Sequence, residues 1–243
     1  MNQKKLISPK KREGWYSEWK RCAEKLILLD LDGTILDTAG DLGGAANVLR
    51  KKRGMSAIDI AEYRGFISKG AKGMIQVALD LDSNHPKFNE VRTEFLETYS
   101  KNLLNKTKFL PSMDVFLKKL NEIDIKWGIV TNKHAKYALP IVNGIALLKE
   151  SCSILVCGDT TNYPKPHPDP ILFALKELNF TGEQTIYIGD DPRDIQSGYN
   201  AGCWTHALKF FENKASTGIK SWGSDETSFD VIEMARKLGL SIA

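Results

Sequence analysis

The run Leu26-Ile-Leu-Leu-Asp-Leu-Asp-Gly-Thr constrains this chain more than any other stretch. Four apolar residues stop at Asp30 and Asp32, spaced i, i+2, just before Gly33 and Thr34. A strand that is apolar on both faces belongs to a parallel sheet covered by helices, and in open α/β sheets reactive groups collect beyond the strands' carboxyl ends. In extended chain the i, i+2 spacing points both carboxylates the same way, and glycine lets the backbone turn away after them. Crowded carboxylates repel unless a cation or a shared proton compensates, which suits a hard, oxygen-seeking metal such as Mg2+. Taken alone, the string also fits an Asp-Gly turn closing a strand.

Three later segments repeat the pattern of an apolar strand ending in polar residues. In Lys126-Trp-Gly-Ile-Val-Thr-Asn-Lys, Thr131 and Asn132 follow the strand and a helix can begin at Ala135. Hydroxyl and amide groups at such a junction bind phosphate oxygens, although a Thr-Asn pair there also serves as a helix cap. In Tyr163-Pro-Lys-Pro-His-Pro-Asp-Pro, prolines on both sides of Lys165 stiffen a loop that holds one cation; a surface turn is the alternative. In Thr185-Ile-Tyr-Ile-Gly-Asp-Asp-Pro-Arg-Asp-Ile, Asp190 is read as a metal ligand. Asp191 and Asp194 are read as its support, or as caps of a helix that Pro192 opens.

The order and chemistry of these four segments resemble the haloacid dehalogenase superfamily of phosphohydrolases, over roughly residues 25–240. The resemblance implies a nucleophile at Asp30 and a general acid/base at Asp32. It also implies phosphoryl-binding groups at Thr131 and Lys165, with Asn132 beside them, and a Mg2+ site formed by Asp30, the Asp32 backbone carbonyl and Asp190. Asp41-Leu, Arg64-Gly-Phe-Ile-Ser-Lys-Gly-Ala-Lys-Gly-Met and Cys157-Gly-Asp-Thr look like bacterial phosphoglycolate phosphatases. Trp127-Gly-Ile-Val-Thr-Asn-Lys, Lys165-Pro-His-Pro-Asp-Pro and Gly189-Asp-Asp-Pro-Arg-Asp-Ile-Gln are similar to N-acetylmuramic acid 6-phosphate phosphatases. The implied activity is Mg2+-dependent phosphomonoester hydrolysis through an aspartyl-phosphate, with 2-phosphoglycolate as the expected substrate and the amino-sugar phosphate as the alternative.

Between the first two motifs, apolar positions recur at Leu42, Ala45, Ala46 and Leu49, then at Met74, Val77 and Ala78, which is helical spacing over a stretch too long for a loop. The expected fold class is therefore α/β: a Rossmann-like parallel sheet core with helices on both faces and a small helical cap inserted after the first strand. The expected segments are a basic extension at 1–25, core at 26–37 and 107–243, and cap at 38–106. In the cap, Arg64 and Lys69 flank a small, basic, glycine-containing stretch suited to a substrate carboxylate. Solvated charges beside a helix start are the alternative.

Residues 1–25 hold eight Lys/Arg against three Glu, a net +5, whereas the remaining 26 basic and 27 acidic residues sum to −1. The basic character belongs to this arm, and the arm lacks the apolar centre of a secretory signal. Trp15, Tyr16 and Trp19 interleave with its charges. They are expected to pack on the core; a catalytically silent RNA-binding or regulatory protein that uses the arm is the reading from a different class. No apolar run approaches the roughly 20 residues needed to span a bilayer. The four cysteines show no Cys-x-x-Cys spacing, as expected of reduced thiols in a cytoplasmic protein. The expected partner is a small phosphorylated metabolite, not a membrane or nucleic acid, and the expected assembly is a monomer or homodimer. Residues 210–229 read as a loop ahead of a helix at 230–238.

Overall fold

In the computed structural model, the described residues are 6–211 and 218–242. The strands are β1 Leu26–Leu29, β2 Leu36–Asp37, β3 Lys108–Phe109, β4 Lys126–Val130, β5 Leu155–Val156, β6 Thr185–Gly189, β7 Trp204–Leu208 and β8 Glu226–Ser228. Six of them form one sheet in the order β5-β4-β1-β6-β7-β8, and β2 and β3 form a separate pair. Every pairing in the large sheet is parallel. All four residues of β1, all five of β6 and all five of β7 are buried, as expected of strands covered on both faces.

The chain divides into two compact units, residues 1–35 with 109–243 and residues 36–108. The first carries the large sheet. Leu26 and Leu28 of β1 pack with Val130, Val156, Tyr187 and Cys203 against Ile171, Ala174 and Leu175 of the helix Asp169–Leu178. The second unit is helical, with helices Ala39–Lys52, Ile60–Tyr63, Gly70–Leu79 and Phe88–Ser100 and a 3-10 turn Arg64–Lys69. Its buried residues recur at turn spacing: Leu42, Ala45, Ala46 and Leu49 in the first helix, Val91, Phe95 and Tyr99 in the last. The Asp41 carboxylate accepts from the Lys106 and Thr107 amides and the Thr107 hydroxyl, tying the end of this unit to its first helix.

One expectation changes. The 210–229 stretch is not loop throughout: it contains a 3-10 helix at Gly218–Trp222 and the edge strand β8, while 212–217 lie outside the described residues. Glu226-Thr-Ser is short and polar, and it becomes a strand only because β7 supplies a ladder. The aromatics of the arm pack on the core as expected: its helix Trp15–Arg21 buries Trp15 and Trp19, and the Trp19 indole N–H donates to the Gln184 carbonyl. Among the described residues no helix is long and apolar enough to cross a membrane.

Candidate active site

The register of three neighbouring strands builds the site. Leu29 is level with Ile129 of β4 and Ile188 of β6, so the residues that follow each strand emerge at one height. The Asp30 amide donates to the Ile188 carbonyl at 2.9 Å, extending the ladder one residue beyond β1 and fixing where the Asp30 carboxylate leaves the sheet. Asp190 follows Gly189 at the end of β6. Gly33 has φ +83°, and a Cβ there would lie 2.6 Å from Asp190 Oδ2, so glycine alone lets the turn after Asp32 pass this close. Thr34 Oγ1 donates to Asp190 Oδ1 at 3.0 Å.

Asp30, Asp190 and Asp194 are buried, and one carboxylate oxygen of each lies within 4.8 Å of the others. Lys165 is buried among them. Its ammonium donates to Asp194 Oδ1 (2.7 Å), the Tyr187 hydroxyl (2.8 Å) and the Val130 carbonyl (2.9 Å). Those bonds use its three donors, so the contact with Asp30 Oδ1 at 2.9 Å is an ion pair rather than an aligned hydrogen bond. The Asn132 side chain bridges the Lys165 backbone, accepting from its N–H and donating to its carbonyl, each at 2.9 Å. Asn132, expected at the phosphate, holds the Lys165 loop.

Asp191 and Asp194 cap the helix Pro192–Asn200 as a reciprocal capping box, with Pro192 in its first turn, which is the alternative the sequence left open. Asp194 does both jobs, since one oxygen takes the Asp191 N–H and the other takes Lys165. Thr131 is buried, and its Oγ1 accepts from the Lys133 amide at 3.2 Å. Asp32 is less enclosed, and both of its oxygens accept from Lys133 Nζ at 2.9 Å. Lys133 and Tyr187 were not singled out from the sequence. Tyr187 reads as an ordinary strand residue, and Lys133 as the polar start of a loop.

The cluster's charge does not balance. Asp30 and Asp194 share the Lys165 ammonium and Asp190 feels the Lys209 charge, three carboxylates against two cations; burial together with Asp30 and Asp194 pushes Asp190 well above the usual carboxylate range, with Lys209 opposing the rise. Asp194 is raised to about 6, chiefly by burial, with Lys165 opposing and Asp30 adding to the rise. A divalent cation with oxygen ligands would neutralise that excess, so the donor set fits Mg2+. Asp32, expected to hold metal through its backbone carbonyl, directs its side chain to Lys133.

Arg64 and Lys69 lie in the helical unit. Arg64 forms an ion pair with Asp37 at 3.1 Å, and the Lys69 ammonium sits 4.9 Å from the Phe66 ring centroid.

Residues 27–208 match the family model described as haloacid dehalogenase-like hydrolase. The chain is 35% identical over 201 residues to an N-acetylmuramic acid 6-phosphate phosphatase from Pseudomonas putida, covering 83% of this chain and 90% of that protein. It is 33% identical over 202 residues to a phosphoglycolate phosphatase from Xanthomonas campestris pv. campestris, with the same coverage of 83% and 90%. A solved haloacid dehalogenase-like family hydrolase from Streptococcus pneumoniae superposes with a TM-score of 0.73 at 20% identity, covering 88% of this chain and 98% of that one, a likeness of fold.

Proposed function

Because this chain belongs to the haloacid dehalogenase-like hydrolase family and is a phosphatase, we propose that it hydrolyses a phosphomonoester in two steps through Asp30. Asp30 attacks phosphorus in line and forms an aspartyl-phosphate, which water then hydrolyses. Asp32 gives a proton to the departing alkoxide and takes one from the attacking water. Lys165 and Thr131 border the phosphoryl group; Lys165 also keeps Asp30 and Asp194 in place. When bound by Asp30, the Asp32 backbone carbonyl and Asp190, with Asp191 and Asp194 in support, Mg2+ would offset repulsion between the Asp30 carboxylate and the phosphate. The observation that carries this reading is the cluster of three buried carboxylates beyond the strand ends, two of them paired with Lys165.

The substrate proposed is N-acetylmuramic acid 6-phosphate, supported by relatives of that name at 35% and 32% identity. A second reading, 2-phosphoglycolate, is the one expected from the sequence and is supported by relatives at 33% over 202 residues and 35% over 182. Residues 38–106 are proposed as the cap that closes over the bound ester and excludes water, with Arg64 and Lys69 meeting the substrate carboxylate. For Arg64 that means exchanging its partner Asp37. A cytoplasmic monomer or homodimer completes the proposal. The silent RNA-binding alternative loses support from Arg12, which is committed to Asp225.

The test is phosphate release from both esters at matched concentrations, with and without Mg2+. The expected result is Mg2+-dependent turnover with higher kcat/KM on the amino sugar. Preference for 2-phosphoglycolate would install the second reading, and release from neither would overturn both.

A further inference from the structure

We infer that Lys133 is the positioning residue for Asp32, aiming its carboxylate at the proton it must handle. The inference rests on the reading of Asp32 as general acid/base. Lys133 Nζ stands 2.9 Å from each Asp32 oxygen, and both side chains are largely enclosed. A cation between both oxygens sets the direction in which the ionised carboxylate points; when Asp32 carries its proton, Lys133 donates to the bare oxygen and the protonated oxygen faces the leaving group.

The anchor is itself held. Lys133 N–H donates to Thr131 Oγ1, and its carbonyl accepts from Gly158 N–H at 2.9 Å. Gly158 packs so tightly on the same loop that a Cβ there would lie 2.3 Å from the Asn132 carbonyl oxygen. Asn132 in turn grips the Lys165 backbone. One loop, 131–133, therefore fixes two cations: Lys165 through Asn132, and Lys133 through its own backbone. The lysine that faces Asp30 and the lysine that faces Asp32 keep a constant offset because they share this support.

Lys133 transfers nothing in the reaction. In the first half, the Asp30–phosphorus bond forms as the phosphorus–alkoxide bond breaks, and the Asp32 proton goes to the alkoxide. In the second half, water oxygen bonds phosphorus, the Asp30–phosphorus bond breaks, and the water proton returns to Asp32. Misaiming the carboxylate slows proton delivery without touching the nucleophile. It therefore matters most when the leaving group needs a proton.

The experiment compares kcat/KM of wild type, Lys133→Met, Lys133→Gln and Asp32→Asn on two phosphate esters. One is whichever of N-acetylmuramic acid 6-phosphate and 2-phosphoglycolate the wild type turns over faster; the other is p-nitrophenyl phosphate, whose phenolate leaves unprotonated. Both Lys133 variants are expected to lose about 10- to 100-fold on the alkyl phosphate and less than about 5-fold on the aryl one, the same split that Asp32→Asn shows. A merely structural role would lower both substrates alike. Equal losses, or an unchanged rate on the alkyl phosphate, would overturn the inference while wild-type turnover still upholds the hydrolase reading. A wild type inactive on all these esters would overturn both.

Discussion

Two buried or half-buried cations in the sheet-bearing unit meet carboxylates in opposite ways. Arg12 lies at the amino end of β7 and Lys165 beyond the carboxyl ends of β1, β4 and β6. Asp225, fully buried, accepts from the Arg12 amide and guanidinium and from the Thr205 amide and hydroxyl, so one cation faces one anion and both oxygens are satisfied. The guanidinium also lies over the Trp204 and Tyr199 rings, at 4.4 and 5.1 Å from their centroids. Around Lys165, Asp30 and Asp194 compete for one ammonium, and a third buried carboxylate, Asp190, lies within 4.8 Å of both. The balanced pair fastens the arm to the core; the unbalanced cluster stores repulsion that a bound cation and a phosphoryl group can relieve. Buried charge by itself does not mark a functional site, but buried charge in excess does.

The contrast breaks most sharply if the two regions respond alike. Asp30→Asn should lower turnover by at least about 10³-fold, because it removes the nucleophile while keeping the shape. A purified, folded variant that kept more than a few per cent of wild-type phosphate release would remove Asp30 from the mechanism. Arg12→Ala should do the reverse, costing about 2–3 kcal/mol in urea unfolding and changing kcat less than about twofold. That cost sits below the full penalty for a broken buried pair because the Arg12 side chain is 29% exposed. If Arg12→Ala matched Asp30→Asn in lost activity, the arm would belong to the site.

The finest test uses pH. Asp190 and Asp194 bind protons more tightly folded than unfolded, so the stability they contribute is complete below about pH 4 and is lost as pH rises through about 6 and beyond. Asp190→Asn removes one of the repelling charges. In metal-free protein its melting temperature should draw ahead of the wild type as pH rises from 4 to 7, and added Mg2+ should reverse the order. Comparing the two proteins cancels the opposing contribution of buried His206, which burial pulls down to about 4. Parallel melting profiles with no added metal would mean that the acids do not repel.

The sequence made the parallel core readable because β1, β4 and β6 each carry a continuous apolar run that ends in a glycine or a polar residue, a pattern set by burial on both faces. The residues at those ends do meet in space, Asp30 with Lys165 and Asp190. What stayed hidden depends on distant partners. Nothing local in Glu226-Thr-Ser marks a strand, since β7 supplies its ladder. Nothing near Arg12 names Asp225, 213 residues away. The two bonds of Asn132 to the Lys165 backbone have no local signal, and Lys133 gains meaning only from the fold that sets it against Asp32. Asp191 and Asp194 were ambiguous because the same acids satisfy a helix start and crowd a cation site.

The Leu110 amide donates to the Ile35 carbonyl at 3.0 Å, so the chain leaves the sheet-bearing unit and returns to it at a single point. Residues 36–108 form one excursion from that point, and a loop of about two to five residues would span the gap they leave. Such a layout makes the helical unit an exchangeable cassette. Every strand of the six-stranded sheet lies outside the excursion, so its strand order and register do not run through residues 36–108.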